Sequence, residues 1–579
     1  MTVSPSASAA GSGFADAGLA SLADLEVRLG APLDPDNPLG FAAVLAADER
    51  SEMLPAGEHL LDEYGLNAEF VPRGLGGRFA QADRLVTVLR AIFRRDGSLG
   101  LGYGAITFIA AAIGWTSGSD AQRIRMADLL LRGRRVCAGI TELAHGHDLS
   151  RAEMAARKDS GRLLLTGRQE LITNISRADA AVLYARTDDR PGRRSHSHLF
   201  VDMTSLPGAR ARQLPRFPTV GMRGCQIGGV EFLDCPVPAD SVLGEFGGAM
   251  ETVLRAFQVT RSVLPGMTVG ITDTQLRTVL RFALGRSLYG RPAADLPHAR
   301  SVLVGAFLDL LACDCLATVG ARALHLLPRQ TSVFAAAVEY VVPKLLREIG
   351  YELSLLLGAR SYLREGPQAI FQKNSRDVRM ASFGQENPAV CQPTMIPQLP
   401  RLAQRSWLRA SSAPDGLFRF GEPLAALDFG CLEVTARGED SLSAELVTGH
   451  EELAAEPVLG ALVGRFAAEL RQLRDDCVEL PPRDLTVTAG KRSFTLADRY
   501  ATVLTAAASL GVWRRNRDRA DPFLRDTAWI IGVLRRLGAR LGDDPGPAPG
   551  GFERHVFAEL RARLDSGRTF DLAGTWLAG

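Results

Sequence analysis

Apolar residues recur at three- and four-residue spacing in Phe41 to Glu49, Met53 to Tyr64 and Gln81 to Arg94, the period of one helical face. From about residue 136 to 245 the runs shorten. Val136 to Ile140, Arg162 to Thr166, Ala180 to Arg186, His198 to Asp202 and Gly229 to Leu233 are short apolar or alternating segments with Gly, Pro, Asp and Ser between them, and they predict strands. Long amphipathic helices return from Met250 to about 380. A Pro-rich break, Pro388 to Pro400, precedes a last helical region, interrupted by a Gly/Pro/Asp linker at Gly542 to Gly551. No internal repeat is present.

This pattern predicts an α+β chain, mainly α, with a small β domain inserted between helical ones. The expected divisions are a disordered terminus over residues 1–18, a helical domain over 19–133, a β domain over 134–246, a helical bundle over 247–400 and an additional helical domain over 401–579. The glycine-rich segment Val71 to Gly77 reads as a turn between helices, since no strand precedes it and no GK[ST] follows. The apolar stretch Leu99 to Trp115 is slightly shorter than the roughly 18–20 residues that cross a bilayer, so a buried core helix is expected there.

Composition narrows the classes. Of 579 residues, 67 are Lys or Arg and 65 Asp or Glu, a net charge of +2. That balance gives no reason to expect nucleic acid or a membrane surface as the main partner. The eight cysteines are scattered without a CxxC pair, which argues against a metal site or redox pair. The first residues lack a basic n-region and an apolar h-region. A cytoplasmic protein without a membrane span is expected.

Five segments carry a resemblance. Thr141-Glu142-Leu143-Ala144-His145-Gly146-His147-Asp148-Leu149 resembles TEPGAGSDL, and Gly167 to Asn174 resembles GxKxWITN. Gly221-Met222-Arg223-Gly224, with Val230 to Pro238 and Leu243-Gly244, resembles GxRGS…VxFxDVxVPxxxxLG. Arg286-Ser287-Leu288-Tyr289-Gly290-Arg291-Pro292 resembles RxxFGxP, and Arg376-Asp377-Val378-Arg379 resembles RDA[RK]. In this order, over residues 20–390, they are similar to the acyl-CoA dehydrogenase and acyl-CoA oxidase superfamily, here in a large form with a C-terminal helical extension.

The resemblance implies a fold of helical domain, β-barrel domain and four-helix bundle, FAD as cofactor, and an acyl thioester of CoA or an acyl carrier protein as substrate. It implies that Ile140, Thr141 and Thr173 meet the flavin, that Gly146 lets backbone approach closely, and that Leu171 stands where the family's Trp walls the ring. His147 replaces a Ser that contacts cofactor or substrate. Arg286 and Tyr289 would reach the FAD of a neighbouring subunit, which implies a homodimer or tetramer. Gly358 falls in the segment matching QxxGGxG, where Leu355 replaces the Gln and Arg360 a glycine.

The family's base is a loop Glu. Counting from Arg376-Asp377 puts it on Gln385; anchoring on Glu386-Asn387, like the YEGEN of oxidases, puts it on Gly384. The alternative family position precedes a helical Arg and is here Thr260, before Arg261, the pair expected at the substrate. An amide cannot take a proton from a thioester. Three readings stay open: Glu386 serves as base after a one-residue loop shift, with Asn387 beside the cofactor; the flavin chemistry needs no carboxylate, as in a monooxygenase or epoxidase; or the chain is a lapsed scaffold. The extension and Glu386-Asn387 resemble the oxidase branch, whose large members occur in lipopeptide pathways. Two basic segments, Trp513 to Arg519 and Ala209 to Arg212, read either as docking sites for an acidic carrier protein or as solvated surface.

Overall fold

The computed structural model describes residues 22–578 apart from 191, 383–387, 410–411, 520, 545 and 547. The expected disordered terminus lies outside the described residues.

The N-terminal helices are α1 (residues 22–29), α2 (Phe41–Glu49), α3 (Pro55–Tyr64) and α4 (Ala82–Arg95). Next comes a continuous helix made of α5 (Gly97–Leu99), a π turn (Gly100–Ala105) and α6 (Ile106–Ser117), followed by α7 (Asp120–Leu131). The Leu99 to Trp115 stretch is thus helical, and it is largely buried. Ser119 caps α7 in a reciprocal pair with Gln122, satisfying two N-terminal N–H groups. The Val71 to Gly77 segment is a turn, with a short 3-10 helix at Arg73–Leu75 and Gly76 at φ 90°.

The β domain holds β1 (Val136–Gly139), β2 (Ala155–Asp159), β3 (Arg162–Thr173), β4 (Ala180–Arg186), β5 (His196–Asp202), β6 (Ala211–Leu214), β7 (Ile227–Pro238) and β8 (Val242–Leu243). The sheet runs β6-β7-β3-β2-β4-β5-β8, with β1 added parallel to β4. β4 shows why a continuous apolar run suits this place. Alternate side chains of a strand face opposite sides. Val182 and Tyr184 join the core shared with the helices, while Ala181, Leu183 and Ala185 fill the separate core of the β domain. The basic segment at Ala209 to Arg212 proves to run into β6, paired to β7.

The bundle is α8 (Ala249–Gly285), α9 (Pro297–Leu326), α10 (Thr331–Leu357) and α11 (Ala369–Asp377); a hairpin of β9 (Ser287–Leu288) and β10 (Arg291–Pro292) follows α8. Then come α12 (Pro388–Met395), α13 (Leu399–Arg405), α14 (Ala444–Glu452), α15 (Pro457–Cys477), α16 (Lys491–Asn516), α17 (Pro522–Arg525), α18 (Thr527–Arg540) and α19 (Phe552–Asp565). The expected break at Pro388 to Pro400 is therefore helical. Three of its prolines, Pro388, Pro397 and Pro400, sit in the first turns of successive short helices, where the missing N–H has no helical partner to lose.

The helices after residue 401 are bound into the bundle, because their apolar side chains continue its core. Asp309 of α9 accepts from Arg536 of α18 at 2.6 Å, and Asp498 of α16 holds both Tyr340 and Lys344 of α10. The last turn of chain reaches furthest. Asp571 pairs with Arg90 of α4 at 3.0 Å, and Arg90 also pairs with Asp314 of α9 at 2.7 Å. Burial opposes the Arg90 charge, but the two carboxylates outweigh it and hold it fully protonated. The backbone N–H of Phe570 donates to Asp273 of α8 at 2.8 Å.

The Arg-rich segment Trp513 to Arg519 turns much of its charge inward and leaves Arg517 exposed. Arg514 is buried and pairs with Glu445 and Glu452, Arg515 with Asp415 and Glu445, and Arg519 donates to the Phe420 carbonyl. Sequence alone could not show the acids of α14 that neutralise it.

Candidate active site

A cavity of about 150 Å³ lies where the β domain meets the helices. Its β wall is Ile140 and Thr141 just after β1 and Glu170 to Thr173 at the end of β3. β1 can run this close to β3 because residue 139 is glycine: a Cβ there would meet Gln169 Oε1 at 2.7 Å. The β3–β7 register shifts between Gln169 and Ile172, and Leu171 within that irregularity takes φ 56°. A left-handed Leu is costly, and bulges of this kind re-aim side chains beside active sites. Here the result is a Leu171 side chain 44% exposed at the cavity. Asn174, also left-handed, donates from Nδ2 to the Gly102 carbonyl, tying the end of β3 to the π turn.

The opposite wall is helical. Leu101 comes from the π turn, Leu264, Pro265 and Thr268 from α8, Glu339 from α10, and Met380 from the turn after α11. Pro265 lies inside α8 and interrupts its ladder. Two side chains bond carbonyls of this turn: Thr268 Oγ1 donates to the Pro265 carbonyl at 2.8 Å, and Arg90 Nε to the Gly266 carbonyl at 2.9 Å. The Asp571–Arg90 pair thus braces the turn that lines the cavity.

The glycine-containing motifs are tied together around this cavity. Asp377 of the RDVR segment accepts from the Met222 N–H at 2.6 Å, and Arg376 donates to the Val220 carbonyl at 2.8 Å. Lys373 bonds Asp96 at 2.6 Å and Asp377 at 2.5 Å in full burial. Burial works against the lysine charge, but Asp377 and Asp96 outweigh it and raise its pKa. Met222, held this way, lines the cavity. In the loop after β1, Glu142 is buried and accepts from the N–H groups of Glu153 and Met154, each at 2.8 Å.

A second, larger cleft of about 1070 Å³ lies on the other side of the Arg376–Met380 segment. Arg223, Arg347, Arg364, Arg376 and Arg379 line it, with Leu355 and Gly358. Asp48 pairs with Arg223 and Arg376, and Glu49 with Arg364. The Arg360 guanidinium lies over the Phe282 ring at 5.6 Å, so this arginine in a glycine position packs on α8.

The structure gathers Ile140, Thr141, Leu171 and Thr173 in one cavity. Gly146 at φ 56° and the exposed His147 lie in the loop after β1, outside that lining. Thr260 and Arg261 are buried on α8 between Phe257 and Leu264, both of which line the cavity. Arg286 and Tyr289 sit on the β9–β10 hairpin, Tyr289 at 89% exposure, away from both cavities. Gln385, Glu386 and Asn387 lie outside the described residues. Glu339 was missed. The signal was a single acid inside the apolar run Val333 to Val342.

An apolar slot edged by the hydroxyls of Thr141 and Thr173 suits a flat flavin ring, and a guanidinium-lined cleft suits phosphate groups. The residues present fit FAD. The family model "Acyl-CoA dehydrogenase, middle domain" matches residues 137–235, and "Acyl-CoA dehydrogenase, C-terminal domain" matches 248–385.

Residues 137–235 and 248–385 are thus similar to the middle and C-terminal domains of the acyl-CoA dehydrogenase family.

Mitochondrial isovaleryl-CoA dehydrogenase of Oryza sativa subsp. japonica is 26% identical over 252 residues, 43% of this chain and 61% of that protein. The match thus spans less than two thirds of that relative's length. The acyl-CoA dehydrogenase of Bacillus anthracis, solved as a complex with FAD, superposes with TM-score 0.66 at 15% identity, covering 96% of this chain and 91% of that one. The acyl-CoA dehydrogenase fold therefore extends through the C-terminal helices. A prolyl acyl carrier protein oxidase superposes with TM-score 0.58 at 18% identity, covering 65% of this chain and 97% of its own.

Proposed function

We propose that this acyl-CoA dehydrogenase family member is an FAD-dependent oxidoreductase that oxidises an acyl thioester between its α and β carbons. The observation that carries the reading is the cavity itself, whose β wall includes Ile140, Thr141, Leu171 and Thr173, the residues the family motifs assign to the flavin. When bound there, FAD supplies acceptance of the Cβ hydrogen with its electron pair. The chain's own residues do the rest. Thr141 and Thr173 offer hydroxyls to the ring's polar edge. Leu171, Phe257 and Leu264 exclude water around the reacting carbons. The guanidinium groups of the larger cleft receive phosphate.

The carrier of the acyl group is the finer part of the reading. The fold shared with a prolyl acyl carrier protein oxidase supports an acyl carrier protein, and with it a biosynthetic role; the 26% identical isovaleryl-CoA dehydrogenase supports CoA. The exposed Arg286–Tyr289 hairpin supports a homo-oligomer in which one subunit completes the cofactor site of another. Arg286→Ala should then lower FAD retention and leave the monomer fold intact.

The test is an absorption spectrum of the purified protein before and after anaerobic addition of matched acyl-CoA and acyl-carrier thioesters. Bleaching of a bound flavin by one of them establishes the reaction and identifies the carrier. A flavin that neither thioester reduces overturns the thioester reading and favours oxygen chemistry. A colourless protein that takes up no added FAD overturns the flavoenzyme reading in favour of a scaffold.

A further inference from the structure

We propose that Glu339 is the group that removes the α-proton of the acyl thioester; this rests on the thioester reading above. Three observations lead to it. The first is position. Glu339 is 4% exposed and is the sole α10 residue in the cavity lining. It comes from the helical wall, across from the Thr141 and Thr173 wall. A thioester lying on the flavin therefore has Glu339 on its far side, where a base must stand to act opposite the hydride acceptor.

The second is elimination among the carboxylates that line the cavity. Among the described residues these are Glu170 and Glu339. Glu170 belongs to the cofactor wall, and its Oε2 accepts from the Leu143 N–H at 3.2 Å. The helical position that bears a base in some of the family is Thr260, which donates its hydroxyl to the Phe257 carbonyl at 3.3 Å and cannot accept an α-proton at neutral pH.

The third is the local build of the two facing helices. Pro343 follows Glu339 by four residues inside α10, as Pro265 follows Arg261 inside α8. Each proline removes the N–H that would close its helical turn. Both helices are thus opened at the level of the cavity, at the turns that carry a buried Glu and a buried Arg.

In the step assigned to Glu339 the Cα–H bond breaks, the proton bonds a carboxylate oxygen, and the electron pair stays on Cα as the thioester enolate. No oxidant is consumed, so the step is separable from turnover. The experiment uses the FAD-loaded full chain in deuterated water with a 3-thia-acyl-CoA, and its carrier-protein equivalent. Sulfur at the β position leaves no hydride to transfer. Exchange of the α-hydrogens is read by mass spectrometry, and FAD occupancy by absorbance.

Wild-type protein should exchange. Glu339→Gln should lose about 10²–10⁴-fold of that rate with FAD retained, and Glu339→Asp should keep part of it with a displaced pH profile. Glu386→Gln should exchange as wild type. Wild-type exchange in Glu339→Gln overturns the assignment, as does loss of exchange in Glu386→Gln alone. If Glu339→Gln does not hold FAD, an unchanged pH profile in Glu339→Asp overturns it. A wild-type holoprotein that exchanges neither thioester overturns the thioester reading, and the base with it.

Discussion

The β wall of the cavity holds the motif residues Thr141 and Thr173 and departs from the family pattern at Leu171, whereas the helices opposite depart from it at Thr260 on α8 and, around the neighbouring cleft, at Leu355 and Arg360. The difference follows from what each wall touches. A flavin presents the same ring to every protein, so the backbone that meets it has one good arrangement. On the proposed reading the helical wall meets the substrate and its proton, and there several arrangements serve. α8 and α10 carry internal prolines near a buried Arg and a buried Glu, and α8 is held beside its proline by a chain of contacts that begins at Asp571, far along the sequence.

The largest test of this contrast is Glu339→Gln. It should cut turnover by about 10²–10⁴-fold while FAD binding stays near wild type, measured by stopped-flow reduction and FAD titration. Equal loss of FAD binding would erase the division of labour between the walls.

Next is the brace. Asp571→Ala leaves Arg90 buried with one carboxylate instead of two. Breaking a buried pair costs on the order of 3–5 kcal/mol, and the remaining Asp314 pair places this change toward the lower end. Denaturant unfolding should show the loss, together with slower reduction because the α8 break loosens. An unchanged midpoint would make the extension an appendage to the helical wall.

A pH effect separates the β domain from the helices. Burial holds the His198 imidazole down to about 3, well below its ordinary value. The folded state excludes the charged form, so stability is complete above about pH 6.5 and falls as pH drops from there toward 3. His196, lowered by burial as well, adds to the same slope. His198→Phe should flatten part of the acid limb in thermal melts between pH 4 and 7. An unaltered limb would place the acid sensitivity in the helices.

The smallest expected effect is at Leu171. Leu171→Gly relieves the left-handed strain of a non-glycine residue, so stability should stay within about 1 kcal/mol of wild type. FAD should bind more weakly, since the slot loses an apolar side chain. A large loss of stability would show that Leu171 is packing and not a cofactor contact.

The order of helices, strands and helices was legible in the sequence because periodicity survives without tertiary context. Three strands of the β domain were not: β2 is mostly charged, and β6 and β8 are only four and two residues long, too short to show a period. The Pro388 to Pro400 helices were hidden because proline counts as a breaker until its place in a first turn is known.

At the site, the residues of the β wall were legible because they are contiguous motifs. The acid of the other wall was not, because Glu339 stands alone in an apolar run and only the approach of α10 to the β domain gives it a cavity to face.

By itself the sequence determined the fold family, the β wall and the charge balance, all of which are carried by short segments or by composition. The tertiary structure alone decided that Arg514 and Arg515 are internal ion pairs, that the last residues brace α8, and that a carboxylate stands opposite the flavin wall. Each of these depends on residues brought together from distant parts of the chain, and the free energy of a buried charge is set by such neighbours and not by its place in the sequence.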